Sequence, residues 1–286
     1  MAETLNSPFI LVLACPDRKG IVAAVASFLA DNNASIVDSS QFNDAGLDRF
    51  YMRVAFRAEG GSGLSPEAFI TGFEPIATKF AMDWTLYDRR VKPRVMIAVS
   101  KFGHCLYDLI HRWRAGLLPV EIPAVVSNHD DMRAFVEWSG IPFCKLEGTK
   151  PEQEKAITDL MAMQRIDLLV LARYMQILSP DLCGALEGRC INIHHSFLPS
   201  FKGAKPYQQA FARGVKIIGA TAHYVTPQLD EGPIIEQDVQ RVHHGHTVED
   251  LVAFGRDVEC RVLARAVTWH TQRRVIIAGS KTIVFA

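Results

Sequence analysis

No Cys-x-x-Cys pair occurs in this chain; six cysteines, at positions 15, 105, 144, 183, 190 and 260, are scattered over its 286 residues. Neither a zinc-ligand spacing nor a disulfide framework can be read from them, so reduced thiols in an intracellular protein are expected. An excess of charge of one sign is also lacking. The 31 basic and 31 acidic residues leave a formal net charge of zero, which argues against a nucleic-acid partner, since such partners need a basic face. No apolar run approaches the ~20 residues of a membrane span, and Met1–Pro8 has neither the basic start nor the apolar stretch of a secretion signal. The expectation is a soluble, cytoplasmic protein with no membrane partner. No G-x-S-x-G sequence is present, so a serine nucleophile elbow is excluded and direct attack by water or a substrate amine is favoured over a covalent enzyme intermediate.

What the chain does have is an ordinary globular composition, 49% hydrophobic and 22% charged, at a length where one core stops growing and two domains are the better expectation. Residues 1–88 read as a small βαββαβ unit. Strand FILVLAC (9–15) turns through CPDRKG into an apolar-striped helix; strands 34–42 and 47–57 flank the turn Asn43-Asp44-Ala45-Gly46; a helix over Pro66–Phe80 and a strand over Met82–Tyr87 follow. The charged segment 89–93 reads as a linker. From residue 94 to 286, strands and helices alternate, with strands at 95–100, 121–128, 141–146, 166–172 and 190–195. Several of these are apolar on both faces, as parallel strands covered by helices must be, so the fold class is α/β with a doubly wound, mostly parallel sheet. Thr247-x-x-Asp250 opens a long final helix as a capping box, and residues 273–285 read as a terminal hairpin.

One stretch carries unusual chemistry. CINIHH (190–195) is an apolar strand that ends in polar residues. With side chains alternating between faces, Asn192 and His194 share one face, at the carboxyl end where open α/β sheets bind ligands. Asp230 lies in HYVTPQLDEGPIIEQ, between two further strands, followed by Gly232-Pro233. Asparagine, imidazole and carboxylate together supply an oxyanion donor, a proton carrier and a group to orient it. Singly they prove little: an Asn-x-His on a strand is more often structural, and an Asp in a turn is ordinarily turn chemistry. His223, in ATAHYV, reads better as a hydrogen-bonded core histidine than as a site residue. HHGH (243–246) reads as a polar loop and not a metal site, because no cysteine or carboxylate spacing accompanies it.

In combination, NIHHSFLPSFKGAKPYQQA (192–210) and IGATAHYVTPQLDEGPII (218–235) resemble the superfamily of formyltetrahydrofolate-utilising hydrolases and transferases. The resemblance covers residues 94–286, with Asn-x-His, an LPSFKG-type loop and a D-x-G at the family separation; His194 and Asp230 are 36 positions apart. It implies a formyltransferase-type fold, with Asn192, His194 and Asp230 as catalytic residues, LARYMQILSP forming the folate pocket through Met175, Gln176, Ile177 and Leu178, and neither a metal nor a cofactor. The N-terminal unit resembles an ACT domain, with Asp17, Gly20 and Ile21 in the loop expected to take a small amino-acid effector, and with pairing of such units into a homo-oligomer.

Within that superfamily the first strand of the purine-pathway transferases leads into a Gly-Ser-Asn phosphate loop. Here the equivalent stretch is VSKFGHCLYDL, and no basic tRNA-binding extension follows. The resemblance therefore implies water as acceptor: 10-formyltetrahydrofolate would be hydrolysed to tetrahydrofolate and formate, supplying formate and balancing the one-carbon pool for purine biosynthesis. The alternatives are a formyltransferase to a small amine held by the Lys101/His104 loop, and a non-catalytic folate or amino-acid sensor. Sequence alone assigns no role to His195, Lys101 or His104, and leaves open whether Asp230 or His194 is the base. Lys202-Gly203 is expected to shape the cleft wall.

Overall fold

The structure is a computed structural model and describes residues 9–58, 65–198 and 206–286. The chain divides into two compact units: residues 1–91 with 273–276 and 283–286, and residues 92–272 with 277–282.

The first unit runs β1 (Phe9–Pro16), α1 (Ile21–Asp31), β2 (Ala34–Asp44), β3 (Arg49–Ala58), α2 (Pro66–Phe80) and β4 (Asp83–Asp88). Its antiparallel sheet has the order β2-β3-β1-β4, a ferredoxin-like arrangement of the kind an ACT domain has. Period-two alternation puts Leu11 and Leu13 of β1 on the same face as Met52, Val54 and Phe56 of β3, where Val25 and Leu29 of α1 and Phe69 and Phe73 of α2 close the core. Gly20 caps α1 with φ of +93°, a conformation that only glycine adopts without strain. Ser65 caps α2 by accepting the Ala68 N–H, and Pro66 follows at the first helical position, where its missing N–H costs nothing.

The second unit continues with β5 (Val95–Val99), α3 (His104–Arg114), β6 (Val125–Ser127), α4 (Arg133–Trp138), β7 (Phe143–Lys145), α5 (Lys150–Met163), β8 (Leu168–Leu171), α6 (Pro180–Ala185), β9 (Cys190–His194), α7 (Pro206–Arg213), β10 (Ile217–Tyr224), β11 (Ile234–Arg241) and α8 (Val248–Thr271). The sheet order is β11-β10-β9-β8-β5-β6-β7. β9, β8, β5, β6 and β7 are parallel, and β10 and β11 are antiparallel. Met96, Ala98, Leu169 and Leu171 pack on one side with Ile157 and Met161 of α5 and Leu182 of α6. The alternate side chains face the other side, where α8 lies along β9, β10 and β11 and against α3. The chain reverses direction along the sheet between β5 and β8, and a doubly wound sheet opens its ligand crevice at such a reversal.

Three local differences from the sequence reading stand out, two of them with a physical cause. The strand over 121–128 shrinks to Val125–Ser127 with one isolated bridge at Glu121, because Pro123 cannot donate to a ladder. α6 was not expected: its six residues are too few to show a helical period, although Ser179 caps it and Pro180 starts it. α7 was also not expected. Thr247 and Asp250 form the anticipated reciprocal cap of α8, and β12 (Val275–Ala278) and β13 (Lys281–Val284) form the terminal hairpin. Among the described residues no helix is long and apolar enough to cross a membrane.

Candidate active site

β9 presents Asn192 and His194 on one face, and its pairing with β10 decides what joins them. The antiparallel register sets His223 opposite Asn192 and Thr221 opposite His194. Thr221 then pins the chain leaving β9: its hydroxyl donates to the Ser196 carbonyl at 2.9 Å and accepts the Leu198 N–H at 3.1 Å. From β10 the chain turns towards β11 through Asp230, whose φ is +57°, a conformation Asp tolerates better than most residues. Gly232 makes that turn feasible. A Cβ there would stand 1.7 Å from the Tyr224 carbonyl oxygen, so the glycine of the D-x-G is a steric requirement of the loop that carries Asp230.

The side chains converge. His194 Nδ1 lies 3.3 Å from Asp230 Oδ2, with both side chains largely buried. His223 Nδ1 donates to the Tyr224 carbonyl at 2.9 Å, an acceptor only, so in the neutral ring Nε2 accepts from the Asn192 amide at 3.3 Å. Asp230 Oδ1 is farther from that nitrogen, at 3.7 Å. Burial works to raise the Asp230 pKa, but the His194 and His223 rings beside it outweigh that and hold the carboxyl well below the usual range. His194 Nε2, in contrast, is buried without a hydrogen-bond partner among the described residues.

His194 lines a cavity of about 700 Å³ together with Asn192, His223 and Asp230 and with Met175, Gln176, Ile177 and Leu178. The 171–178 segment is pinned at the switch point: the backbone N–H of Ser100, just past β5, donates to the Arg173 carbonyl at 3.2 Å, and the Ser100 hydroxyl accepts the Met175 N–H at 3.0 Å. Met175 and Ile177 leave apolar side chains exposed.

Beyond this group the lining contains residues to which the sequence reading gave no role. Glu259 of α8 is 1% exposed. Its Oε1 accepts from Tyr207 at 2.7 Å, its Oε2 pairs with His104 Nε2 at 2.8 Å, and Arg173 Nε is 3.5 Å away. Burial would raise the Glu259 pKa, yet His104 and Arg173 bring it below the ordinary value. His195 also lines the cavity, and burial together with Arg173 pushes its pKa down to about 4. Lys101 is exposed and does not line it. His104, Cys105 and Glu259 place a nitrogen, a sulfur and a carboxylate within 4.8 Å, but His104 Nε2 is engaged by Glu259 and burial raises the Cys105 thiol pKa, a poor donor set for a metal.

The reading of His223 as a hydrogen-bonded buried residue describes its bonding but not its place, which is inside the site. Only the β9–β10 register reveals that, and sequence does not fix a register. Glu259 did leave a signal: it is a charged residue within the apolar stripe Leu251, Gly255, Val258, Val262 of α8. In the first unit, Asp17 follows β1 and accepts from Asn43 Nδ2 at 2.5 Å. Gly20 caps α1, and the Ile21 side chain is buried in that unit's core, so Ile21 can offer a ligand only its backbone. Lys202 and Gly203 lie outside the described residues.

A family model described as formyl transferase matches residues 93–267. A formyltetrahydrofolate deformylase of Corynebacterium sp. (strain P-1) is 50% identical over 278 residues, covering 96% of this chain and 97% of the relative. The chain belongs to the formyltetrahydrofolate deformylase family. A crystal structure of a formyltetrahydrofolate deformylase from Pseudomonas syringae pv. tomato str. DC3000 superposes with a TM-score of 0.93 at 48% identity, covering 97% of this chain and 94% of that one. Glycinamide ribonucleotide transformylase 1 from Symbiobacterium toebii is more distant, at 28% identity and a TM-score of 0.66, covering 71% of this chain and 98% of its own. The deformylase-family resemblance thus spans both units, whereas the transformylase resemblance stops well short of the whole chain.

Proposed function

We propose that this chain hydrolyses 10-formyltetrahydrofolate to tetrahydrofolate and formate, the formate and freed folate serving the one-carbon pool used in purine biosynthesis. Membership of the deformylase family sets the reaction, and one observation carries the mechanism: His194 is held at Nδ1 by Asp230 while its buried Nε2 has no partner among the described residues. Leaving a buried polar atom unpaired costs free energy. A binding-only sensor has no use for that arrangement, whereas a proton carrier requires it.

In this reading the folate lies against Met175–Leu178 and its formyl group meets the Asn192/His194 edge of β9. With its pKa held well below the usual carboxylate range, Asp230 stays ionised at neutral pH, so it orients His194 and the base is His194 Nε2. Water attacks the formyl carbon and gives its proton to Nε2. The oxyanion is met by the Asn192 amide, whose second N–H is engaged by His223. His194 then returns the proton to N10 as the C–N10 bond breaks, and formate leaves. The chemistry needs no metal or cofactor. The amine-acceptor reading is not favoured, since Lys101 lies off the cavity and His104 is paired with Glu259.

The same proposal includes the amino-acid effector at the β1–α1 loop, presented by Asp17, Gly20 and the Ile21 backbone, in a cytoplasmic homo-oligomer. It is supported by the left-handed turn at Gly20, which lays the loop's backbone open. Thermal shift and activity screened against amino acids test it, and no response to any of them would remove it. The test of the reaction is formate release from 10-formyltetrahydrofolate without an acceptor amine, beside His194→Ala and Asp230→Asn. Release by the unaltered chain and its loss in both variants is expected; tight folate binding without release would refute hydrolysis.

A further inference from the structure

The cavity contains a second carboxylate–histidine pair that the reaction above does not use, and its position bears on why water is the acceptor. From His194 a run of contacts leads inward: the His195 ring at 5.0 Å between centroids, then Tyr207 at 6.5 Å from His195, then the 2.7 Å bond from Tyr207 to Glu259. Four separate elements converge there: the first residue of α3 (His104), the segment after β8 (Arg173), α7 (Tyr207) and α8 (Glu259). Both carboxylate oxygens of Glu259 are taken, one by Tyr207 and the other by His104 with Arg173 alongside. Tyr207 is seated without spare room, since a Cβ added at Gly255, one turn before Glu259, would be 2.1 Å from its hydroxyl oxygen.

We propose that the His104–Glu259–Tyr207 cluster, with Arg173, selects water as the formyl acceptor by filling, with the chain's own paired charges, the part of the cavity that an amine would need. The inference rests on the hydrolase reading above and deepens it. With folate against Met175–Leu178, the lining that continues from His194 through His195 and Tyr207 leads into this cluster. Water needs neither volume nor a partner from it. An amine whose substituent is directed into this part of the cavity must displace His104 or Tyr207 and strip a donor from a buried carboxylate, which is strongly disfavoured. Selection by occupied space and satisfied charge needs no group that recognises water.

The experiment supplies 10-formyltetrahydrofolate together with methoxyamine, a neutral nucleophile larger than water, and separates formate from N-methoxyformamide by mass spectrometry. In the transfer the amine nitrogen bonds to the formyl carbon, the C–N10 bond breaks, and the amine's proton ends on N10. The unaltered chain is expected to give formate with at most a trace of N-methoxyformamide, at every methoxyamine concentration. His104→Ala, and His104→Ala with Glu259→Gln to avoid a stranded buried charge, are expected to raise the share of N-methoxyformamide about tenfold or more, the scale of discrimination that side-chain-sized steric exclusion supplies. Substantial N-methoxyformamide from the unaltered chain would overturn the inference while leaving hydrolysis intact. So would a variant that still binds folate and releases formate yet forms none. Should both variants fail to fold, Tyr207→Phe, which keeps the ring and frees one carboxylate oxygen, must show the same change in smaller measure, and no change there overturns the inference too. Absence of formate release by the unaltered chain would instead overturn the reaction itself.

Discussion

Two carboxylate–histidine pairs share one cavity in this protein, and they differ in what is left over. In the pair Asp230–His194 the imidazole keeps one buried nitrogen without a partner among the described residues. In the pair Glu259–His104 the carboxylate is saturated by Tyr207 and His104, with Arg173 beside it. The first is arranged to exchange a proton with something that is not protein, and the second is arranged to stay as it is. The same two residue types thus serve chemistry in one place and exclusion in the other, and the distinction lies in the neighbours and not in the residues themselves.

The comparison can be broken most severely at the reactive end. Asn192→Ala removes the oxyanion donor and is expected to lower turnover about 10²–10³-fold, measured as formate release at saturating folate; a near-normal rate would remove Asn192 from the mechanism. His223→Ala leaves the Asn192 amide in place but unsupported. A loss of about tenfold is expected, within the range for groups that orient a reacting one, with the larger part in kcat and little in KM.

At the sealed end the loss should appear in stability. Tyr207→Phe strands one oxygen of a buried carboxylate and is expected to cost about 1–3 kcal/mol, with Tm falling by roughly 2–4 °C per kcal/mol, read by thermal denaturation. His195, between the two pairs, gives the smallest effect. Burial and Arg173 bring its pKa down to about 4, below the ~6.5 of an unfolded histidine. Between those values the unfolded chain binds the extra proton, so stability falls as pH drops from ~6.5 towards 4. His195→Gln is expected to flatten that part of the Tm-versus-pH curve, and an unchanged slope would show that His195 does not cause it.

Legibility in the sequence follows the same division. Asn192 and His194 could be read because both lie on one short strand, where alternation alone assigns their faces. Asp230 was readable through its D-x-G, for which the structure gives a steric reason at Gly232. His223 could not be placed, because its position opposite Asn192 depends on the β9–β10 register and on an irregularity in β10 between Ala222 and His223. The Glu259 cluster was hidden for a related reason: its members come from four elements far apart in sequence, each reading as an ordinary helical or loop residue on its own. The sheet core of both units was readable from apolar period and runs, whereas α6 was too short to show a period.

Asp230 hangs from β11, and β11 is the outermost strand of its sheet. Its first carbonyl, that of Ile234, is covered by the Thr282 hydroxyl of the terminal hairpin at 2.5 Å. Edge strands open locally at lower cost than the strands inside a sheet. Heating should therefore let the margin of the sheet fray, and the carboxylate swing away from His194, while the parallel centre is still intact. Activity and circular dichroism would then lose their signals at different temperatures, with the enzyme silent before it is unfolded.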